Sequence, residues 1–532
     1  MSYSARMTVV LLLVSLIFSA AAAKLLAEDY LKCMWMFDSD SDEEGFVDER
    51  CYRGFWLLPY IDVLPPEYVK ALSIWYNNNH TRLHLEICRL NIDRCPEQTL
   101  KLVNAYLHDV SCTGRGRVLR TKLVHYLSHE SPFYDPTLSP EEASRLDRDF
   151  SASRASYLLA ASATTTTSIV ETPLEPKKDN SAFLARVHVG TNNDDQRDMF
   201  VIVDTGSSLL WVHCNPDNGY APAPVFDPKR SSTFRKEMCN DSASACSPSY
   251  RWLTCGDKYC RFKIAYVKGD CSGYLGRETF EFEPLDEVEA DRFILHNITF
   301  GCATISNLRV DGVLGLNANR VSLISQTGST RFAYCIGNIS DPTYPYNILI
   351  LDDNNEIGLH GSPTPLVVNN HYYINLEGVT VGGQSVMGFN FRISMLMDLG
   401  STYTLLSMSL LKKLEAAVAD VIGGNLTRTY SIKFDKAYTL LCYVGFVGRD
   451  LAGFPVVEFN FYGGAVLELS AENMFKDNGD GNFCLTAAPS EQYNFDFALL
   501  GNYMQQYFYI AFDLKENELS FLKMDCDILH QD

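Results

Sequence analysis

Two segments lying 194 positions apart share one local pattern. The first is Phe200-Val-Ile-Val-Asp204-Thr205-Gly206-Ser207, and the second is Met395-Leu-Met-Asp398-Leu399-Gly400-Ser401. Each is an apolar run ending in Asp-x-Gly-Ser. Val313-Leu314-Gly315 closes 111 residues after the first Asp, and Leu499-Leu500-Gly501 closes 103 after the second. The same order at nearly the same spacing is an internal duplication of about 190 residues. The chain is therefore expected to fold as two similar halves, each presenting one carboxylate in the same local frame.

The residue types in that frame have physical reasons. An apolar run before each Asp reads as a buried strand that carries the carboxylate into a low-dielectric interior. Gly206 and Gly400 let the backbone turn and come close to its partner. Ser207 and Ser401 offer hydroxyls that can hold a carboxylate in orientation. Two carboxylates meeting at an interface cannot both stay charged, so they share a proton and can activate water.

Composition narrows the setting. The chain has 532 residues, enough for two or three domains, and a formal net charge of −20. That charge argues against nucleic acid as a partner, because phosphate binding needs a basic face. Arg6 followed by the apolar run Val9 to Phe18 and Ser19-Ala-Ala-Ala-Ala23 reads as a secretory signal over 1–23. No later run is long enough to span a membrane, and the polar C-terminus does not read as a lipid-anchor signal. Sixteen cysteines in a secreted chain imply disulfides. Five precede residue 118 and eleven follow, both odd counts, with Cys271 the expected unpaired thiol of the later set. Zinc is the competing reading of Cys239, Cys246, Cys255 and Cys260, but paired Cys-x-x-Cys spacing is lacking. Glycosylation sequons stand at Asn79, Asn240, Asn297, Asn338 and Asn425.

The chain resembles the pepsin-like aspartic proteases, in the plant branch that includes nepenthesin. Beyond the two Asp motifs, the phrases are Phe226-Asp-Pro-Lys-Arg-Ser-Ser-Thr-Phe234, Phe300-Gly-Cys302, Asp311-Gly-Val-Leu-Gly-Leu316, Tyr372-Tyr-Ile-Asn-Leu-Glu-Gly378 and Gly501-Asn-Tyr-Met-Gln-Gln506. The resemblance covers about residues 118 to 526. It implies a mainly β, bilobal fold with the active site between two duplicated lobes. It implies a secreted endopeptidase that hydrolyses polypeptide substrates at acid pH, as a monomer with no metal or cofactor, in the extracellular space or the vacuole. By position, Asp204 and Asp398 would be the catalytic pair, supported by Thr205, Gly206, Ser207, Gly400 and Ser401. Tyr266 would be the flap tyrosine and Trp211 its brace. Cys442 and Cys484 would form a bridge of the second lobe.

Three departures from the pattern stand out. Leu399 replaces a hydroxyl residue that would tie the two Asp loops together across the interface, so Thr205 can make its half and Leu399 cannot. Val267 replaces a glycine after the flap tyrosine, and Lys268 and Asp270 replace smaller or polar residues nearby. These departures keep open an alternative: a weak or inactive pepsin-fold protein that binds or inhibits another protein in the plant extracellular space.

The expected organisation is a leader at 1–23, a Cys-containing helical region at 24–116, a prosegment and linker at 117–176, a first lobe at 177–360 and a second at 361–532. Within the prosegment, Glu141 to Phe150 reads as a short helix and Ser151 to Ser168 as an exposed linker suited to proteolysis. Arg120 and Lys122 are the expected partners of acidic groups near the cleft. The second lobe should contain one helix, Ser407 to Val421.

Overall fold

In the computed structural model the described residues are 119–162 and, apart from short internal stretches, 182–530. All lie in the second of the chain's two units, Thr113–Asp532. The expected leader, the 24–116 region and the sequons at Asn79 and Asn240 fall outside the described residues. So do Val267 and Lys268 of the flap.

The described fold is mainly β, with strands in sheets of fifteen, nine and four. The duplication read in the sequence appears as two copies of one arrangement. Met199–Asp204 runs parallel to Gly312–Gly315, with Gly315 level with Asp204. Ile393–Met397 runs parallel to Ala498–Leu500, with Met397 level with Leu500. In each copy the chain leaves its Asp loop and returns antiparallel on the far side, as Trp211–His213 in the first and Thr404–Leu406 in the second.

The glycines closing the two repeats are needed for close approach. A Cβ on Gly315 would lie 2.5 Å from the Ser208 carbonyl carbon, and one on Gly501 would lie 2.5 Å from that of Tyr403. Any side chain there would push apart the strand and the Asp loop it supports.

The halves are joined by backbone pairing. Arg331–Ile336, from the first half, pairs antiparallel with Phe508–Asp513, from the last part of the chain. Phe508–Asp513 pairs in turn with Glu518–Lys523, whose outer edge takes Thr364–Pro365. Phe332 and Phe512 stack across this junction at 4.2 Å, and the Cys335–Cys526 disulfide ties it covalently. Burial of aromatic and aliphatic surface here drives the association.

Strand Leu119–His125 is part of the same sheet. It pairs with Asn347–Asp352 on one side and with Phe183–Val189 on the other. Leu119, Leu123 and Val124 are buried. The expectation for its basic residues is corrected by this placement: Lys122 pairs with Glu130 at 2.8 Å, and Arg120 is exposed. Neither reaches an acidic group of the cleft.

The helix expected at Glu141 to Phe150 is longer than the sequence reading and runs Pro140–Ser162. Its start has clear causes. The Glu142 N–H donates to Ser139 Oγ, the Ser139 N–H donates back to Glu142, and Pro140 stands in the first turn. Ser content marked 151–162 as a linker, yet alanines and two leucines favour helix there, and packing decides the outcome. Ser151 and Arg154 are buried, which corrects the reading of this stretch as exposed.

The helix of the second lobe is Met408–Ile422, capped by Ser407 and buried through Leu410, Leu411, Leu414, Val418 and Ile422. Cys442 bonds Cys484 as expected. The four clustered cysteines form two disulfides, Cys239–Cys255 and Cys246–Cys260, rather than a metal site. Cys214 bonds Cys302. Among the described residues Cys271 is the free cysteine.

Candidate active site

The two Asp-x-Gly-Ser loops meet at one point. Asp204 and Asp398 are 3 % and 0 % exposed, and the two loops hold their carboxylates in matching ways. The Gly206 N–H donates to Asp204 Oδ1 at 2.8 Å, and the Gly400 N–H donates to Asp398 Oδ1 at 3.3 Å. Ser207 Oγ donates to Asp204 Oδ2, and Ser401 Oγ donates to Asp398 Oδ2 at 2.5 Å. Each carboxylate thus has an inner oxygen on a glycine amide and an outer oxygen on a serine hydroxyl.

The loops also approach each other. A Cβ on Gly206 would come within 3.0 Å of Asp398 Oδ1, and one on Gly400 within 2.8 Å of Asp204 Oδ1. Glycine at both positions is what allows the two acids to face one another. Thr205 bridges the halves directly. Its hydroxyl donates to the Met397 carbonyl at 3.1 Å and accepts from the Leu399 N–H at 3.0 Å. The reciprocal pair from position 399 is missing because Leu399 has no hydroxyl. Leu399 is instead fully buried in the main hydrophobic core, and its carbonyl accepts from Asn502 Nδ2 at 2.9 Å.

A third charged group lies at the centre, and it comes from the helix Pro140–Ser162. Arg154 Nη2 donates to Asp204 Oδ1 at 2.5 Å and to Asp398 Oδ1 at 3.2 Å, while Nε donates to Asp398 Oδ2 at 3.3 Å. Its side chain is 6 % exposed. Burial pushes the Asp204 carboxyl above its usual range; Arg154 pulls it back, and the Asp398 charge raises it again. One face of the helix makes further contacts with the second lobe. Ser151 Oγ accepts the N–H groups of Thr402 and Tyr403, both at 3.2 Å. Ser144 and Arg148 both donate to Asn478 Oδ1, at 2.6 and 2.9 Å. Asp147 forms an ion pair with the buried Lys476.

The expected flap exists as a hairpin, with Tyr259–Tyr266 paired to Gly269–Phe282 and Tyr266 opposite Gly269. The Tyr266 side chain lies outside the described residues. Trp211 is fully buried and packs in a cluster with Leu253 and Phe262 of the hairpin region, edge-on to His213 at 5.6 Å. Of the remaining sequons, Asn297 and Asn425 are exposed and Asn338 is half-buried.

Sequence reasoning missed Arg154 and Lys476. The signal for Arg154 was present in the helical spacing of Ser144, Arg148, Ser151 and Arg154, which places four polar side chains on one face. Lys476 sits in no recognisable motif, and only the fold brings it to Asp147.

Comparison with known proteins agrees with this architecture. Residues 183–351 match the family model described as xylanase inhibitor N-terminal, and residues 371–523 match xylanase inhibitor C-terminal. Aspartyl protease UND of Arabidopsis thaliana is 29% identical over 356 residues, covering 65% of this chain and 86% of the relative. Aspartic proteinase nepenthesin-2 of Nepenthes gracilis is 27% identical over 377 residues, covering 67% and 80%. Among solved structures, basic 7S globulin from soybean shares the fold with a TM-score of 0.50 at 17% identity, covering 65% of this chain and 93% of the globulin. The chain belongs to the pepsin-like aspartic protease family. Within it, the similarity runs to plant proteins named as aspartic proteases. No described helix is long and apolar enough to cross a membrane.

Proposed function

We propose that the chain is the precursor of a secreted aspartic endopeptidase, held inactive by its own helix Pro140–Ser162. The observation that carries this reading is the paired carboxylates: each acid has its inner oxygen on glycine, its outer oxygen on serine, and both inner oxygens address one point. Arg154 Nη2 occupies that point, 2.5 and 3.2 Å from the two Oδ1 atoms. A water taking its place would be within hydrogen-bond reach of both acids.

The chemistry follows from the proton the pair shares. With Arg154 gone, its pull on the carboxylates is lost, and burial and mutual repulsion leave one proton between the two acids. The ionised carboxylate removes a proton from the water as it attacks the peptide carbonyl. The protonated one donates to the carbonyl oxygen. Polypeptide substrates would lie extended across the cleft, covered by the hairpin bearing Tyr266. No metal or cofactor takes part. The same reading places the leader at 1–23, the prosegment at 117–176, and the mature enzyme as a monomer in the extracellular space or the vacuole. Asn297, Asn338 and Asn425 would carry glycans.

The test is cleavage of a denatured protein between about pH 3 and 6, the range of carboxylate titration, by the secreted and processed chain and by Asp398→Asn. Cleavage by the first and none by the second is the expected result. No cleavage by either, once the helix is shown to be gone, would refute the enzyme reading. It would favour a second reading, a pepsin-fold binding protein. Leu399 in place of a bridging hydroxyl supports that second reading, as does the description of the two matching family models.

A further inference from the structure

We propose that Lys476 forms a substrate subsite that takes an acidic side chain of the bound polypeptide. The proposal rests on the endopeptidase reading, because it treats the helix Pro140–Ser162 as occupying the place of substrate. Arg154 marks the reacting centre on that helix. Asp147 lies seven residues earlier, about two helical turns and roughly 10 Å along the axis.

At that distance the helix buries a carboxylate against the second lobe. Asp147 meets Lys476 in an ion pair whose side chains are 1% and 7% exposed. Lys476 stands on the strand Phe475–Asp477. Among the described residues, Asp147 is the only carboxylate in ion-pair contact with it. Its other charged or titratable neighbours offer no replacement. His125 is held neutral by burial and by the Lys476 charge, and the Tyr503 ring lies 5.7 Å from the ammonium. Burial draws the Lys476 ammonium down to about 7. The Asp147 carboxylate is its countercharge.

When the helix leaves, Lys476 loses this partner and Asn478 loses both Ser144 and Arg148. Lys476 then has no carboxylate partner among the described residues, and a substrate that covers the site as the helix does would bury its ammonium again, which is costly unless the substrate brings an anion. A substrate Asp or Glu at the position of Asp147 restores the pair. An extended substrate advances about 3.3 Å per residue. The acidic residue therefore belongs about three positions from the scissile bond.

The experiment uses the full chain, folded, cut by an added protease on both sides of the helix, between residues 163 and 181 and within the exposed stretch 132–139, and freed of the helix by gel filtration in acid. Calorimetry at about pH 5.5, where a carboxylate is ionised and a lysine is charged, is run on an Asp398→Asn version, so that bound peptides stay uncut. The probes are ten-residue peptides, identical except for a single Asp, Asn or Lys moved through each position. One position should bind at least tenfold tighter with Asp. Lys476→Gln should erase that preference, and Lys476→Glu should invert it toward lysine at the same position, with circular dichroism confirming that each variant is folded. Equal binding of Asp and Asn at every position, or a preference that survives Lys476→Gln, would overturn the subsite. The endopeptidase reading fails separately, if the protein with Asp398 intact cuts none of the peptides.

Discussion

Replacing Arg154 by methionine removes the guanidinium that spans both acids while keeping much of the side-chain volume. Arg154 is 6 % exposed and the acids are more deeply buried, so screening by solvent is small. Removing one partner from a buried charge group costs about 3–5 kcal/mol. The low end applies, because the two acids can relieve their repulsion by sharing a proton. At about 3 kcal/mol the helix is released roughly a hundredfold more often. The readout is hydrogen exchange at the Thr402 and Tyr403 amides, which donate to Ser151 on the same helix. In Arg154→Met at about pH 5.5 these amides should lose about a hundredfold of protection. The pH dependence carries a second check. Arg154 favours the ionised form of Asp204 only while the helix is docked, so its own contribution to docking is full while Asp204 is ionised and is lost as Asp204 takes up a proton in acid. Burial of Asp204 is the larger influence and acts in the opposite direction. In Arg154→Met only the burial remains, so docking should no longer weaken as the pH falls. Unchanged protection, or an unchanged pH profile, would refute the claim that Arg154 holds the helix in place.

Thr205→Val should lower stability by about 2–4 kcal/mol, because it leaves the Met397 carbonyl and the Leu399 N–H buried without partners; denaturant unfolding checks this. Leu399→Thr should lower stability by about 1 kcal/mol rather than raise it. A regained hydrogen bond of about 0.5–1.5 kcal/mol is outweighed by lost burial at about 0.8 kcal/mol per methylene, and a rise in midpoint would contradict this. Cys271 is fully buried, and burial raises its thiol pKa far above the usual range. It should resist alkylation at about pH 8 until the protein is unfolded, as followed by intact mass.

The duplicated Asp motifs and their trailing glycines were legible because each repeat encodes a complete local unit. The apolar run makes the strand, and the glycines permit close approach. Cys442 with Cys484 and the unpaired Cys271 followed from the family pattern and from parity. The reach of the helix Pro140–Ser162 was harder to see. Ser151 and Arg154 sit in a stretch whose serine content resembles a linker, and nothing local shows that Thr402 and Tyr403 will offer two amides to Ser151. Arg120 and Lys122 were the wrong basic residues for a related reason. Their strand alternates faces, so its basic side chains are turned away from the buried interior that its leucines fill. Leu399 read as a defect in the sequence. In the fold it is a core residue that takes the volume a hydroxyl pair would have used.

Residues 119–162 make two attachments of different kinds, and they respond differently to acid. The helix is held by charge, through Arg154 on the two acids and Asp147 on Lys476. The strand Leu119–His125 is held by backbone pairing on both edges and by buried Leu119, Leu123 and Val124. Protonating carboxylates weakens the first attachment and leaves the second untouched. Removing the strand would uncover the ladder edges of Phe183–Val189 and Asn347–Asp352 and expose three apolar side chains, each worth about 1.5–3 kcal/mol when fully buried. Acid and one cut in 163–181 should therefore free the helix from the cleft while the strand stays in the sheet. The processed protein would run as two polypeptides under denaturing conditions and as one species under native conditions. Recovery of a single mature polypeptide lacking Leu119–His125, with no other segment in its place, would show that the sheet closes without it.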